Sequence, residues 1–293
     1  MEFVPLWETE EKDPHKLLSM AILVMWLLTF IVNGIAISMY YSAQEYADRF
    51  YIRTLLEVQA DIFLLQSISG ILWFIITVYI LISTLFFEKR DKLNIFSGLM
   101  FFVSGVAELI LSIYFLGLRD KMLYYVEKFP LISIDEFVDS LYAISEEASQ
   151  IALYSGIIMS LSIGGAFIFL GLGVRKAADS ILRKLKAPIP DIQAEPASNL
   201  PSYFESVVFP TIKEGAKKMK SGGNIYILSG VMDCLSIIIP AFGTLSFILF
   251  IVGMMMIGSG RKMINQAVQR FLAPKAEEVS ESSKKEVISD ETE

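Results

Sequence analysis

The sequence predicts an all-α polytopic membrane protein: a transmembrane helical bundle of about six membrane segments, four long spans plus a C-terminal hairpin broken at Pro240. Hydrophobic residues make up 54% of the 293 residues and charged residues only 19%, against roughly 25% charged in an ordinary soluble domain. The apolar residues come in long uninterrupted runs rather than at scattered periodic positions, which indicates lipid contact. The segments that connect these runs also differ in their Lys and Arg content. Positive charge collects on one side of the predicted membrane, as is typical of the cytoplasmic side.

Four runs are long enough to be the long spans. Residues 17–40 are 24 residues without a charge, more than the roughly 20 that a membrane-crossing helix needs. Acidic residues precede this run and no small-residue cleavage site ends it, so we expect a retained anchor rather than a removed signal peptide. Residues 62–87 and 95–118 are joined by a short basic turn and should form an antiparallel hairpin. Residues 151–174 are the fourth span.

The last apolar stretch, residues 225–257, decides the topology. As one helix its 33 residues would be about 50 Å long, which is too long for a bilayer core of about 30 Å. If it folds back at Pro240, either crossing fully or re-entering, 20 of the 25 Lys and Arg residues lie on one side; a single crossing would leave 14 against 11. The charge bias therefore favours a hairpin, with both termini cytoplasmic in a multi-pass protein of the cell membrane.

The regions outside the spans follow from this topology. We expect a cytoplasmic N-terminal segment (1–16), spans one to three within 17–118, an extracytoplasmic helical segment (119–150) and span four (151–174). A cytoplasmic basic amphipathic and Pro-rich loop (175–224), the hairpin (225–257) and a cytoplasmic amphipathic tail that becomes disordered and acidic (258–293) complete the chain. In the extracytoplasmic segment, Ser133 and Glu136 form a capping-box pattern, which predicts a helix that continues into span four. This segment is either a solvated helical hairpin or a ligand-binding cap.

Basic side chains alternate with apolar ones in the loop 175–224. This pattern is typical of helices that lie on an anionic leaflet, although the general cytoplasmic preference of Lys and Arg also explains it. Ser221, Gly222 and Gly223 are expected to separate the second basic segment from the hairpin. The predicted partners are the lipid bilayer and anionic headgroups, and not nucleic acid. The basic residues concerned are Lys176, Arg183, Lys184, Lys186, Lys213, Lys217 and Lys218.

Two carboxylates within apolar runs, Glu108 and Asp233, are the strongest site candidates. Neither has a cation in its own span, and an ionised unpaired carboxylate is costly in hydrocarbon, so each should be protonated, hydrogen-bonded, hydrated or bound to a cation. Polar residues share their helix faces at four-residue spacing, and converging faces would enclose one polar cavity. Alternatively, protonated carboxyl groups tie helices together by hydrogen bonds worth roughly 1 kcal/mol. The proton or ion site candidates are Glu108, Asp233, Ser104, Ser112, Ser229 and Asn33.

Small residues recur within the spans. Gly156, Ser160, Gly164 and Gly171 share one face of span four, which favours close helix packing inside the bundle over a dimer interface. Ser-Gly pairs also lie a few residues into four segments, and either duplicated hairpins or chance would explain them. These pairs are Ser69-Gly70, Ser97-Gly98, Ser155-Gly156 and Ser229-Gly230.

The sequence offers little for catalysis. It contains one cysteine, Cys234, and one histidine, His15. It has no metalloprotease helix, nucleophile elbow, phosphate-binding loop or Cys-x-x-Cys pair. We therefore expect no enzyme activity, cofactor or metal. The sequence favours a small transporter or channel-like protein that handles protons or cations through its intramembrane carboxylates. The alternative is a non-catalytic accessory or scaffold subunit that assembles with membrane proteins or with itself.

Overall fold

The computed structural model describes residues 51–86, 91–128, 134–185 and 207–289, together with isolated helical positions between residues 20 and 42. Five helices account for the continuous ranges, and these ranges contain no strand, so the predicted all-helical fold is confirmed. In chain order the helices are α1 (Tyr51–Phe86), α2 (Lys92–Lys128), α3 (Ile134–Lys184), α4 (Phe209–Leu235) and α5 (Ala241–Ser289).

Four of these helices are long and apolar enough to cross a membrane. Their candidate spans are Leu56–Leu85, Lys92–Lys128, Val138–Lys184 and Ala241–Gln269. They correspond to the second, third and fourth predicted spans and to the second half of the predicted hairpin. Length and composition thus make the chain a multi-pass membrane protein. The first predicted span, 17–40, lies outside the described residues apart from the isolated helical positions.

The helices α1 and α2 form an antiparallel pair with small residues along the line of contact. On both helices these residues recur every seven positions, which is about two helical turns, so they stay on one face. A Cβ atom added to any of the three glycines would meet the side chain opposite, which shows how closely the two backbones approach. The facing residues are Gly70 and Ser112, Thr77 and Gly105, and Thr84 and Gly98.

The chain divides into two compact units. One consists of Thr9–Phe169 with Ser229–Ser246, and the other of Met1–Glu8, Leu170–Leu228 and Phe247–Glu293. In the first unit the start of α1, the end of α2 and the start of α3 share a hydrophobic cluster. This cluster extends past the ends of the predicted spans. The parts of the three helices that lie outside those spans are residues 51–61, 119–128 and 134–150, and we call them the projection. The buried members are Leu56, Ala60, Phe63, Phe115, Leu118, Met122, Val126 and Ile144.

The surface of the projection is charged, as expected for a region in water. Lys121 Nζ lies 3.0 Å from Glu147 Oε2 and thereby joins α2 to α3. Arg53 Nε lies 3.0 Å from Glu57 Oε1, one turn further along α1. The sequence predicted a helical segment here from residues 119–150 alone. The structure adds residues 51–61 to it, because Leu56 and Ala60 supply part of the buried cluster.

The structure differs from the sequence expectation on the basic side of the bundle. Residues 175–184 are the end of α3 rather than a separate surface helix, since neither Gly nor Pro interrupts the helix after Val174. The helix α4 runs unbroken through Gly222 and Gly223, which the sequence suggested would separate two segments. These glycines are retained in a helix because neighbouring helices pack against them.

A third difference concerns the C-terminal region, for which the sequence predicted a disordered tail. The helix α5 continues without a break as far as Ser289. Its last part carries Ala, Glu and Lys, which are strong helix formers, on both sides of Pro274, and no glycine follows Gly260.

Candidate functional site

The carboxyl group of Asp233 is buried in the last turn of α4, where the side chain is only 6% exposed. The helix ends at Leu235 because Pro240 has no N–H to donate and disfavours helical backbone at Ile239. A tight turn then leads into α5. Within it the Ser236 N–H donates to Met232 O at 3.0 Å, and the Ile239 N–H donates to Leu235 O at 3.1 Å.

The carboxyl group of Asp233 lies beside a hydroxyl group of the next helix. The Ser246 side chain of α5 faces it. Ser229 Oγ donates to Ser246 O at 2.8 Å and lies 3.1 Å from Ser246 Oγ. Asp233 Oδ2 is buried and has no hydrogen-bond partner in the part of the chain that the structure describes. Because the C-terminal end of a helix carries a partial negative charge, this arrangement attracts a proton or small cation and repels anions.

Glu108 occupies a different position, in the middle of α2 against α1. Gly70 makes room for it, since a Cβ atom at residue 70 would lie 2.9 Å from Glu108 Cγ. The flanking serines donate to the backbone: Ser104 Oγ to Phe101 O at 2.6 Å, and Ser112 Oγ to Glu108 O at 2.7 Å. Glu108 Oε2 is buried and lacks a hydrogen-bond partner among the described residues. The serine hydroxyl protons are therefore used by the backbone and not by the carboxyl group.

The two acids lie in separate helix pairs. Glu108 packs against α1, whereas Asp233 packs against α5. No hydrogen bond or ion pair joins them within the described ranges. Asn33, the candidate from the first span, lies outside the described residues. The two acids thus contact different helices, and the single polar cavity that the sequence suggested stays a prediction.

The end of α4 lies deep in the apolar part of the bundle. Ser236 Oγ is 3.4 Å from Ser160 Oγ of α3, and Gly230 contacts Gly164 two turns earlier in α4. The predicted span of α3 begins at residue 151, nine residues before Ser160, which is roughly 14 Å along a helix axis. With span four beginning at residue 151, as the sequence predicts, the helix that carries Asp233 ends well within the predicted apolar layer.

Comparison with known protein families, with curated proteins and with solved structures finds no match. The function therefore has to be inferred from the geometry of the site. Within the described ranges, no three His, Cys, Asp or Glu side chains come together as a metal site would require.

The small residues of α3 have two different environments. A Cβ atom at Gly164 would lie 2.6 Å from Gly230 O, and one at Gly171 would lie 2.5 Å from Gly223 O. Ser160 contacts Ser236 of α4. A Cβ atom at Gly156, by contrast, would have nothing within 4 Å, and this glycine is exposed. Three of the four predicted packing residues thus face α4, and the fourth faces away from it.

The helix α4 makes a second line of close contact with α5. A Cβ atom at Gly222 would lie 2.9 Å from Gly253 O, and one at Gly215 would lie 2.7 Å from Gly260 O. We call the contacts of α4 with α3 and with α5 the glycine seams. The sequence signal for the second seam is the seven-residue spacing that relates Gly215 to Gly222 and Gly253 to Gly260. The Ser-Gly pairs alone do not reveal it.

A labelling experiment tests the depth of the α4 to α5 turn. We expect Ile238→Cys, in a background with Cys234→Ala, to react with a membrane-impermeant maleimide at least about tenfold more slowly than Gln150→Cys, because lipid excludes the reagent and stabilises the neutral thiol. Ile238 is 76% exposed in the protein itself, so protein packing does not protect it. In detergent both cysteines should react; equal rates in sealed vesicles would instead indicate a hairpin that crosses completely.

Proposed function

We propose that this membrane protein is a small transporter or channel-like protein that handles protons or cations at Asp233, with Glu108 as a second protonatable position. One observation carries the proposal: a buried carboxyl group with an unpartnered oxygen lies in the last turn of a helix that ends inside an apolar stretch. Transporters commonly use such interrupted helices, because their C-terminal ends and unwound carbonyl groups coordinate cations.

The energetics of the site favour reversible neutralisation. An ionised Asp233 without a partner would be costly in this environment, whereas a bound proton or monovalent cation removes the net charge. The Ser246 hydroxyl supplies a neutral oxygen atom next to the carboxyl group, and the Ser229 hydroxyl lies against Ser246. Oxygen atoms are the ligands that hard cations prefer. The site can therefore alternate between a charged and a neutral state without rearranging a salt bridge.

The distribution of positive charge supports an orientation for this activity. With residues 225–257 folded back, 20 of the 25 Lys and Arg residues lie on the side of both termini. We propose that this side is the cytoplasm and that the protein resides in the cell membrane. The projection then faces the opposite compartment.

Flux through reconstituted vesicles tests the proposed activity. Purified protein is placed in vesicles with an internal pH dye, and proton or cation gradients are imposed. We expect Asp233→Asn to lower the flux about tenfold or more, because the amide cannot alternate between charged and neutral states. The double variant with Glu108→Gln should lower it further. The matched control is Asp139→Asn, which removes the same charge at an exposed position of the projection and should leave the flux unchanged.

The structure of the variants must be followed together with the flux. Asparagine has nearly the shape of aspartate and can still accept a hydrogen bond from Ser246, so Asp233→Asn should keep its melting temperature. Cation-dependent stabilisation of the wild-type protein, absent from this variant, would give a second readout. If the double variant carries every flux as well as the wild type does, the proposal is wrong, and the accessory-subunit role becomes the better hypothesis.

A further inference from the structure

The exposed face of α4 changes character along its length. Lys213 and Lys217 are exposed near its start, and Leu228, Val231 and Leu235 are exposed near its end. Positions separated by three, four or seven residues share one helical face, so these side chains form a single stripe. One end of the stripe suits lipid tails and the other suits water or headgroups.

The exposed face of α5 also changes character along its length. Its exposed stripe passes from Val252 and Met255 to Ser259 and Lys262. Because Gly222 faces Gly253 and Gly215 faces Gly260, the level of Lys217 on α4 coincides with that of residues 258–259 on α5. The apolar part of the α5 stripe therefore ends opposite residue 220 of α4, whereas that of α4 ends at Leu228 and is followed towards Lys217 by the exposed polar residues Asn224 and Ser221.

The helix α3 changes from apolar to basic at the level where the apolar stripe of α5 ends. Its apolar stretch ends at Val174, and Arg175 and Lys176 follow as exposed residues. A Cβ atom at Gly223 would lie 3.1 Å from Arg175 N, which fixes this boundary just below the lysines of α4. Exposed cations from three helices thus lie beyond the apolar segments of a single compact unit. We call this group the basic belt: Arg175, Lys176, Arg183, Lys213, Lys217 and Lys262.

Two lysines of α4 that are not part of the belt have carboxylate partners within the protein. Lys220 Nζ lies 2.8 Å from Asp179 Oδ1, and Lys218 Nζ lies 3.8 Å from Glu214 Oε1. Lys218 was a predicted lipid ligand, but it has a carboxylate partner. In the described ranges no ion pair involves Lys213 or Lys217, so these two charges are available to an external anion, whereas Arg183 also interacts with the carboxylate of Asp179.

We propose that the basic belt binds the phosphate-bearing headgroups of anionic lipids in the surrounding leaflet. A lipid lying along α4 would place its acyl chain on Leu228 and its headgroup beside Lys217, which satisfies both parts of the stripe. Each basic residue near an anionic surface strengthens binding by a factor of about five. The belt therefore recognises a lipid by the charge of its headgroup and by the level of that headgroup along the helices. This binding does not depend on any activity at Asp233.

Lipid titration of the full-length protein tests this proposal. The protein in neutral detergent is titrated with phosphatidylglycerol or with phosphatidylcholine of identical chains, and bound lipids are counted by native mass spectrometry. We expect Lys213→Gln with Lys217→Gln to weaken phosphatidylglycerol binding about 25-fold and to leave phosphatidylcholine binding unchanged. The matched control is Arg53→Gln with Lys128→Gln, which removes two charges from the projection and should have little effect.

Three results would overturn the proposal. The first is equal affinity of the wild-type protein for the two lipids. The second is the same loss of affinity in the control as in the belt variant. The third is an equal effect of inorganic phosphate, which would identify a site for free anions instead of lipids. Raising the salt concentration should weaken phosphatidylglycerol binding, because added ions screen exposed charges.

Discussion

Substitution of Gly230 by leucine should destabilise the pairing of α3 with α4 by about 3 kcal/mol or more, the upper end of the usual cost of overpacking. A Cβ atom at this position would overlap Gly164 O and lie 2.8 Å from Ile168 Cγ1. Backbone atoms cannot rotate away as a side chain can, so the two helices would have to separate. Gly230→Ala should already lower the melting temperature, and Gly230→Leu should lower it further.

The matched control for this prediction lies on the partner helix. Gly156 also belongs to a Ser-Gly pair within a membrane segment, but nothing lies within 4 Å of its added Cβ atom. Gly156→Leu should therefore be neutral or stabilising by up to about 1 kcal/mol, because leucine has the higher helix propensity. Thermal unfolding of the three variants in one detergent makes the measurement. Equal melting temperatures for Gly230→Leu and Gly156→Leu would contradict the glycine seams.

Substitution of Phe115 by alanine should cost about 3 to 5 kcal/mol, the usual range for a large aromatic side chain removed from a packed core. Phe115 is 8% exposed and stacks on Phe63 with ring centroids 5.2 Å apart. Its removal leaves a cavity among α1, α2 and α3 at the base of the projection. We expect a lower melting temperature and faster proteolysis within residues 119–150, since this region loses its buried support.

Ile113 provides the control on the same helix. Its side chain is 62% exposed, so Ile113→Ala removes contacts with the surroundings rather than with the protein core. We expect less than about 0.5 kcal/mol of destabilisation, as for other substitutions away from packed features. A projection that melts and is cleaved equally in both variants would show that the hydrophobic cluster does not hold it together.

The apolar runs predicted most helices correctly because lipid contact imposes a pattern on every residue of a span. Length and composition were enough for α1, α2, α3 and the apolar part of α5. They failed at α4, where Gly222 and Gly223 suggested a break that does not occur. Glycine in a membrane helix more often indicates a close neighbour than a helix end, and that distinction depends on a second helix.

The candidate site was only partly accessible from the sequence. Glu108 and Asp233 were identified because carboxylates are rare in apolar runs and expensive to bury. Their surroundings could not be predicted, since Gly70 and Ser246 come from distant parts of the chain. The serines near Glu108 share its helix face as expected, yet they donate to backbone carbonyl groups instead. Spacing determines a shared face, but it does not determine which acceptor a hydroxyl group uses.

The sequence by itself determined that this chain is a helical membrane protein, where its charges accumulate and which two acids lie within apolar segments. These properties depend on the free energy of transferring each side chain into lipid. A short stretch of sequence is therefore enough to predict them. Only the tertiary structure decided which glycines face each other, that α4 ends beside Ser160, and that Arg175 of α3 lies close to Gly223 of α4. Lipid solvates every apolar face of a helix almost equally, so hydropathy does not show which face packs against another helix. Helix register depends instead on the fit between backbones that are distant in the sequence.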